Sequence, residues 1–291
     1  MNRQTVPLRI PAFSPAPAVR SFGPVAGDVD RIAAQLDDWL AVGGRLLLLA
    51  DFDGTLTPIV SDPDDAWLAD SVREDLEVLV RVPGVQVGVV SGRDLADVRE
   101  RVAVSEVIYA GSHGLDIEGP DLRFVHPEAE AQRERLVAIG LTLSLRAPAV
   151  PGLRVEPKRF GVALHYRHVA TDQRLRVEME LARAIQQEGG RLRVFHGTKV
   201  LEIQPQAPWG KRECALWIER AVRGASSAPL MVVYMGDDWT DEIVFEALSG
   251  QAMTIRVGDG VPASRASYLL RDVAEAQRLL ARLAALARPT G

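Results

Sequence analysis

The sequence predicts an α/β protein: a Rossmann-like, doubly wound parallel sheet interrupted by an inserted α+β domain. Two observations predict this fold class. Near both ends of the chain, short apolar segments alternate with amphipathic helical segments, as parallel strands and their crossover helices do. From about Leu115 to Pro205, the apolar runs give way to alternating apolar and polar positions, which are typical of strands with one solvated face.

The first part of the core is predicted at residues 28–115. Residues 1–27 are rich in proline and are interpreted as a flexible tail. A helix follows in "DVDRIAAQLDDWLAV", where apolar residues recur at helical spacing. "RLLLLA" is a continuous apolar run, as expected of a strand buried on both faces. Helix "SVREDLEVLVRV", strand "VQVGVV", helix "DLADVRERV" and strand "EVIYA" complete this part.

The inserted domain is predicted at residues 116–205, and the second part of the core at residues 206–291. Within the insertion, "LRVEPKRFGVALHYRHV" and "RVFHGTKVLEIQP" predict strands of an open sheet, with helices near residues 128–140 and 172–188 on one side. The core pattern then returns as helix "KRECALWIERAV", strand "LMVVYM", helix "TDEIVFEAL", strand "AMTIRV" and a closing helix "VAEAQRLLARLAAL".

Composition excludes several classes of partner. A net charge of −5 over 291 residues argues against nucleic acid or an anionic membrane as the main partner. A single cysteine rules out an internal disulfide and fits a reducing compartment. We see no apolar run long enough to cross a bilayer and no signal-peptide core, so we expect a cytoplasmic protein.

Polar signatures follow four predicted core strands, at the point where each strand ends. Ligands of open α/β sheets bind beyond the carboxyl ends of the strands, so we expect these signatures to form one pocket. In chain order they are Asp51-Phe52-Asp53-Gly54-Thr55, Ser91-Gly92-Arg93, Gly111-Ser112-His113-Gly114 and the "GDDWTDE" segment that contains Asp237 and Asp241.

The aspartates of this predicted pocket favour a magnesium site. Asp51, Asp53, Asp237 and Asp241 would place several negative charges together, and these need a counter-ion to stay ionised. A small set of oxygen ligands suits Mg²⁺. An EF-hand loop is excluded because Gly54 occupies the fourth position rather than the sixth. Asp51 and Asp53 could instead be turn residues, but the second acidic motif favours catalysis.

A carboxylate beside a metal-bound phosphate suggests covalent phosphoryl transfer. Asp51 would attack phosphorus, and Asp53 would protonate the leaving oxygen and then activate water. Ser91 and the amide of Gly92 can hold a phosphate oxygen. Ser91 can also serve as the N-cap of the helix that starts near Asp94, and the two roles are compatible.

Lys211 is the candidate cation. Only three of the 34 basic residues are lysines. Arginine therefore occupies most positions where either residue would serve, and each remaining lysine is a candidate for a role that needs a compact ammonium group. Lys211 begins a predicted helix, where a positive charge opposes the helix dipole unless an anion is bound there. This mismatch favours a phosphate ligand over the alternative of a solvated surface lysine.

Taken together, "DFDGT", "SGR", Lys211 and "GDDWTDE" resemble, in order, the motifs of the haloacid dehalogenase superfamily of phosphotransferases. With "DFDGTLTPI", "GSHG", "VEPKRFGVALHYR" and "KVLEIQP", the chain is similar to the trehalose-6-phosphate phosphatases over about residues 45–270. The resemblance implies that the insertion is a cap over the active site. It also implies Mg²⁺-dependent hydrolysis of trehalose 6-phosphate through an aspartyl-phosphate.

The resemblance also assigns roles to individual residues. It implies Asp51 as nucleophile, Asp53 as acid/base, and Mg²⁺ on the Asp51 carboxylate, the Asp53 backbone oxygen and Asp237, with Asp241 at or just beyond the ligands. Ser91, Gly92 and Lys211 would bind phosphate. Sugar contacts are expected from Glu156, Lys158 and Glu202 in the insertion and from Arg93 and His113 in the core. Glu156 and Lys158 could instead form an ordinary exposed ion pair.

The expected partner is a small-molecule substrate, with no nucleic acid and no membrane. We expect a monomer that is functionally coupled to trehalose-6-phosphate synthase. Three alternatives stay open: a related capped phosphatase for sucrose phosphate, mannosyl-phosphoglycerate or a hexose phosphate; a non-catalytic sugar-phosphate sensor on the same fold; and a phosphomutase.

Overall fold

A computed structural model describes residues 25–26, 28–197, 199–224, 226–258 and 264–287. The chain divides into two compact units. The first, called here the core unit, comprises Met1–Phe124 and Trp209–Gly291, and the second, the inserted unit, comprises Val125–Pro208.

The described residues form thirteen strands and eight α-helices. The strands are β1 (Val25–Ala26), β2 (Arg45–Ala50), β3 (Val85–Val90), β4 (Ile108–Gly111), β5 (Asp116–Glu118), β6 (Arg123–Val125), β7 (Arg154–Lys158), β8 (Gly161–His165), β9 (Leu192–Gly197), β10 (Val200–Pro205), β11 (Leu230–Gly236), β12 (Met253–Val257) and β13 (Tyr268–Leu270). The helices are α1 (Val29–Ala41), α2 (Asp70–Leu79), α3 (Leu95–Val102), α4 (Pro127–Arg146), α5 (Arg174–Glu188), α6 (Lys211–Arg223), α7 (Trp239–Leu248) and α8 (Val273–Ala287).

The core unit is built on a nine-stranded sheet of order β1-β13-β12-β11-β2-β3-β4-β5-β6. The pairs from β1 to β4 along this order are all parallel, and β5 joins β4 in antiparallel register. The chain therefore returns to the centre of the sheet after the insertion, because β11 lies directly beside β2. This arrangement confirms the predicted doubly wound α/β core.

Strand β2 shows why the sheet is covered on both faces. Leu46 and Leu48 belong to a buried apolar cluster that also contains residues of α1, α2, α3 and α8. Successive side chains of a strand point to opposite faces, so Leu47 and Leu49 face the other side, which α6 packs against. All four leucines are at most 1% exposed. A run of four leucines is thus the pattern of a central parallel strand.

The inserted unit contains a four-stranded antiparallel sheet of order β7-β8-β10-β9. One face packs against α4 and α5 through a cluster that includes Leu136, Val162, Leu181 and Ile203. The alternating pattern seen in the sequence follows from this, since the second face carries the polar residues. The predicted α+β character and the one-sided placement of the helices are confirmed.

The unit boundaries differ from the predicted ones. The insertion was predicted at residues 116–205, whereas the second compact unit comprises Val125–Pro208. The first difference arises because β5 and β6 extend the core sheet beyond β4. Most of the predicted tail at residues 1–27 lies outside the described residues, and Val25–Ala26 form the short strand β1. Among the described helices, none is both long and apolar enough to cross a membrane.

Candidate active site

Four loops at the carboxyl ends of adjacent core strands carry the predicted catalytic residues. β11, β2, β3 and β4 are neighbours whose ends lie within one residue of each other in register, with Met235 opposite Ala50, Ala50 opposite Val89 and Val90 opposite Ala110. The residues that follow these strands therefore emerge at one edge of the sheet. Asp51 follows β2, Ser91 follows β3, Ser112 follows β4 and Asp237 follows β11.

A buried lysine forms the centre of this edge. Nζ of Lys211 lies 2.9 Å from Oδ1 of Asp51 and 2.9 Å from Oδ1 of Asp241. The three side chains are 3%, 7% and 0% exposed, respectively. Lys211 is the first residue of α6, as predicted; these two aspartates are its nearest counter-charges, and Oδ1 of Asp238 lies 3.9 Å from Nζ. The alternative of a solvated surface lysine is excluded by this burial.

Asp241 is held by donors from its own neighbourhood. The hydroxyl of Tyr234 donates to Oδ1 at 2.8 Å, and Lys211 donates to the same oxygen. The backbone N–H groups of Asp237 and Asp238 donate to Oδ2 at 3.1 and 3.2 Å. Both oxygens are therefore engaged by the protein, and Asp241 fixes the loop that carries Asp237.

The loop between β11 and α7 is a capping box. The carboxylate of Asp238 accepts hydrogen bonds from the N–H groups of Thr240 and Asp241, while Asp241 accepts from the Asp238 backbone. Thr55 donates to Asp237 at 3.4 Å across the two loops. Gly54 has φ +83°, and a Cβ at this position would collide with the carboxylate of Asp237. Glycine is therefore required where the two acidic loops meet.

Burial and like charges determine the protonation of this cluster. Desolvation raises the pKa of Asp51 well above its usual value, although Lys211 opposes this shift. The pKa of Asp237 is raised by burial and by the neighbouring Asp238, and that of Asp241 is raised to about 6, chiefly by burial. Burial alone would lower the pKa of Lys211, but Asp241 and Asp51 raise it, so Lys211 stays charged at neutral pH.

The donor set fits a divalent cation. One carboxylate oxygen from each of Asp51, Asp237 and Asp241 lies within 4.8 Å of the others. One ammonium group does not neutralise three carboxylates, of which Asp51 and Asp241 are buried and Asp237 is half-buried, and a divalent cation would supply the missing charge. All the donors are hard oxygens, which suit Mg²⁺. Because both Asp241 oxygens already accept hydrogen bonds, Asp51 and Asp237 are the side chains better placed to bind the ion.

Asp53 forms a bidentate ion pair with Arg93. Nε and Nη2 of Arg93 donate to the two carboxylate oxygens of Asp53, each at 2.7 Å. The guanidinium also donates to Asp97 at 3.0 Å and to the carbonyl of Pro63 at 2.9 Å. Its side chain is only 12% exposed and lies over the ring of Phe52. The structure thus places Arg93 as the residue that orients Asp53, whereas the sequence suggested a contact with substrate.

The loops after β3 and β4 are joined by backbone hydrogen bonds. Ser112 N–H donates to the carbonyl of Arg93 at 2.6 Å, and His113 N–H donates to the carbonyl of Ser91 at 2.8 Å. Both Ser112 and His113 have positive φ, which this close pairing of loops imposes. Ser91 is 1% exposed, and its hydroxyl accepts from the Arg93 amide at 3.1 Å. The N-cap of α3 is Asp94 rather than Ser91.

The predicted sugar residues lie together on one face of the inserted sheet. Glu156 and Glu202 are paired with Ala163 from its two sides, so the two carboxylates share a row. Lys158 Nζ donates to Glu202 at 3.0 Å, and Nε2 of His165 lies 2.7 Å from Glu156. The hydrogen bond to His165, against the cost of burial, lowers the pKa of Glu156 to about 2. Lys158 thus pairs with Glu202, and Glu156 is hydrogen-bonded to His165.

Comparison with known proteins identifies the family. A family model described as trehalose-phosphatase matches residues 49–273. The chain belongs to the trehalose-phosphatase family.

Its relatives agree with this assignment. The chain is 38% identical to trehalose-phosphate phosphatase of Mycobacterium tuberculosis over 268 aligned residues. The alignment covers 88% of this chain and 67% of the relative. Among solved structures, the Candida albicans trehalose-6-phosphate phosphatase C-terminal domain matches with a TM-score of 0.69 at 22% identity, covering 91% of this chain and 99% of that one. An Aspergillus fumigatus trehalose-6-phosphate phosphatase matches with a TM-score of 0.58 at 26% identity, covering 90% and 99%.

Sequence reasoning missed Tyr234 and Arg256 of this trehalose-phosphatase site, and it placed Thr55 in the pocket without giving it a role. Tyr234 and Thr55 donate to the acidic cluster, and Arg256 donates to Glu242 at 2.8 Å and to the carbonyl of Asp237. Arg256 had a detectable signal, because a charged residue inside the apolar strand "MTIRV" needs a buried partner. Tyr234 had none, since tyrosine is common in strands for packing reasons alone.

The role of Arg93 in this phosphatase can be tested with Arg93→Lys. Lysine keeps the charge but cannot form the two parallel hydrogen bonds to Asp53. We expect kcat to fall roughly 10- to 100-fold through misplacement of the acid/base, with KM little changed. Steady-state kinetics of phosphate release measure both. Arg99→Lys on α3, the helix that follows Arg93, is the control, because its side chain is 59% exposed. A large rise in KM at normal kcat would instead indicate that Arg93 contacts the substrate.

Proposed function

We propose that this protein hydrolyses trehalose 6-phosphate to trehalose and inorganic phosphate. The observation that carries the proposal is the buried cluster at the strand ends, in which Lys211 lies 2.9 Å from Asp51 and three carboxylates converge. Membership of the trehalose-phosphatase family supports the choice of substrate. So does the name of the Mycobacterium tuberculosis relative.

Asp51 and Asp53, which follow β2, carry out different steps of the reaction. Asp51 attacks phosphorus, so that a bond forms between its carboxylate oxygen and phosphorus while the bond from phosphorus to the sugar oxygen breaks. Asp53 gives its proton to that leaving oxygen, which yields trehalose. In the second half, Asp53 takes a proton from water, the water oxygen attacks phosphorus, and the Asp51 carboxylate is released with phosphate. In the structure Arg93 holds the Asp53 carboxylate in a bidentate ion pair, so Asp53 must leave at least one of these two hydrogen bonds to carry the proton that it gives to the leaving oxygen.

The remaining core residues bind the charge that is transferred. Lys211 holds Asp51 in place and can donate to a phosphate oxygen at the same time, since an ammonium group has three donors. Ser91 accepts from the amide of Arg93 and has a hydroxyl hydrogen to donate to phosphate, and the Gly92 amide would be a second donor. Asp51, Asp237 and the backbone oxygen of Asp53 would hold Mg²⁺, which when bound neutralises the phosphate and polarises its bond to the sugar.

The inserted unit supplies the groups that we assign to the sugar. Carboxylates and an ammonium group can together accept from and donate to a dense set of hydroxyls. Glu156, Lys158 and Glu202 lie on the same face of one sheet, where Lys158 is paired with Glu202 and Glu156 is hydrogen-bonded to His165, which supports their assignment as the sugar-binding residues. His113, whose backbone is tied to Ser91, is proposed as a further sugar contact from the core unit.

A phosphate-release assay over a substrate panel tests the proposal. We expect turnover of trehalose 6-phosphate to exceed that of sucrose 6-phosphate, mannosyl-phosphoglycerate and glucose 6-phosphate by at least about 10²-fold in kcat/KM, since a site built for given hydroxyls rejects analogues that leave its polar groups unpaired. A higher kcat/KM for another member of the panel would identify that compound, rather than trehalose 6-phosphate, as the substrate. Binding of the sugar phosphate without turnover would indicate a sensor, and transfer of phosphate to another hydroxyl would indicate a mutase.

Removal of the metal gives a second test. Chelation with EDTA is expected to lower the rate of phosphate release to background, because the buried carboxylates then repel the phosphate. Addition of Mg²⁺ should restore the rate, and addition of Ca²⁺ should restore it poorly, because Ca²⁺ prefers more ligands at longer distances. Activity that resists exhaustive chelation would contradict a metal-dependent mechanism.

The cellular setting is part of the proposal. A cytoplasmic location is supported by the single cysteine, which needs no oxidising compartment. We propose a monomer that works in sequence with the trehalose-6-phosphate synthase that supplies the substrate. Gel filtration measures the oligomeric state, and cell fractionation measures the location.

A further inference from the structure

The open face of the inserted sheet carries an aromatic residue that the proposed mechanism does not use. Phe195 lies on β9 and is paired directly with Glu202 on β10. Directly paired residues of antiparallel strands point to the same face, with Cβ atoms about 5 Å apart. Phe195 therefore stands beside one of the proposed sugar-binding carboxylates.

The packing of β9 confirms which face Phe195 occupies. Leu192 and Val194 pack against the cluster beneath α4 and α5, so the alternating residues Arg193 and Phe195 face the other way. Both side chains are partly exposed. The guanidinium of Arg193 lies 4.5 Å from the centre of the Phe195 ring. The next residue on the same face is Gly197, which is exposed and adds no side chain.

The row that contains Phe195 has the dimensions of two sugar rings. It runs across the sheet as Glu156, Ala163, Glu202 and Phe195, one residue from each strand. Strands are spaced about 4.8 Å apart, so the row spans roughly 14 Å. A hexose ring is about as wide as one strand spacing. A ligand with one ring near the two carboxylates would place a second ring at Phe195.

The chemistry of this end of the row fits a sugar. A pyranose ring has an apolar face of C–H groups and a rim of hydroxyls. An aromatic ring accepts the apolar face, and the neighbouring Glu202 accepts hydrogen bonds from the rim. The guanidinium of Arg193 fixes the aromatic ring from one side through a cation–π contact and can also donate to hydroxyls. A bare phosphate or a small phosphorylated acid would gain nothing from an aromatic ring.

We propose that Phe195, oriented by Arg193, is a stacking platform for the ring of the disaccharide that does not carry the phosphate. The proposal rests on the hydrolysis of trehalose 6-phosphate and deepens it, because it assigns the preference for a disaccharide to one residue of β9. The structural alternative is that Phe195 and Arg193 only protect β9, which is the edge strand of the described sheet.

Phe195→Ala separates these roles. We expect KM for trehalose 6-phosphate to rise roughly five- to tenfold, with kcat within twofold of wild type and kcat/KM for glucose 6-phosphate within twofold. The inhibition constant of trehalose should rise by the same factor as KM, while that of inorganic phosphate should not change. Phe195→Tyr should restore KM because it keeps the ring, whereas Phe195→Leu, which keeps apolar volume without a ring, should not. His196→Ala, at the adjacent exposed position, is the control.

The outcomes are distinguishable. An unchanged KM in folded Phe195→Ala overturns the platform and leaves the proposed function intact. Equal losses on both substrates, or full rescue by leucine, also overturn it, since they indicate packing of the edge strand. Thermal unfolding of each variant shows whether the fold is retained. If wild-type protein does not hydrolyse trehalose 6-phosphate, the proposed function itself fails, which the wild-type assay reveals before any variant is made.

Discussion

Asp51→Asn is expected to abolish phosphate release, with a fall in kcat of at least about 10⁴-fold, as is typical when a catalytic nucleophile is removed. The amide of asparagine is not a nucleophile towards phosphorus, and its neutral oxygen is a weaker ligand for a divalent cation than a carboxylate oxygen. The substitution changes almost no volume at a side chain that is 7% exposed. The measurement is phosphate release from trehalose 6-phosphate, with acid-quench trapping of a phosphorylated protein as the second readout.

The same variant should not unfold the protein. Burial raises the pKa of Asp51, so its ionised form costs folding free energy at neutral pH in the absence of metal. A neutral amide removes that cost, and Lys211 keeps Asp241 as its partner. We therefore expect the metal-free Tm of Asp51→Asn to equal or exceed that of wild type, while added Mg²⁺ raises it less. Asp38→Asn, an exposed position on α1, is the matched control. Activity near the wild-type level would reject covalent catalysis by Asp51.

The core and its catalytic edge were predictable because their signals are local. "RLLLLA" and "VQVGVV" coincide with β2 and β3 residue for residue, since largely apolar runs that follow a glycine and end at a polar residue have few other interpretations. The motifs at the strand ends then follow from topology alone, because the carboxyl ends of parallel strands meet at one edge. β1, β5, β6 and β13 were missed, since strands of two or three residues are too short to show a period.

The separate roles of the acidic residues were not predictable, because these roles depend on hydrogen bonds and ion pairs that form only in the folded protein. The segment "GDDWTDE" offers four acidic residues, and spacing does not reveal that Asp238 caps α7 while Asp241 accepts four hydrogen bonds. The pairing of Arg93 with Asp53 joins residues 40 positions apart. Arginine at the end of a strand is equally suited to bind a substrate or a carboxylate, and only the fold decides between them.

Lys211→Arg is expected to reduce kcat/KM by on the order of 10²-fold or more, through loss of a donor that stabilises the transferring phosphate. The ammonium group lies 2.9 Å from both Asp51 and Asp241 in a site where its side chain is 3% exposed. A planar guanidinium is larger and directs its donors in one plane, so it cannot hold both carboxylates and a phosphate oxygen from that position. Steady-state phosphate release measures the loss.

A structural effect of this substitution can be separated from a chemical one. Arginine keeps the positive charge, so the buried aspartates stay compensated and the protein should remain folded, whereas Lys211→Met should lower stability by about 3–5 kcal/mol by leaving buried charge unpaired. Urea unfolding compares the two variants. Lys199→Arg, in the turn between β9 and β10 of the inserted unit, makes the same exchange outside the site and should have wild-type kinetics. If Lys211→Arg turns over normally, a positive charge of either shape suffices, and the selection of a compact ammonium at this position has a cause other than phosphate transfer.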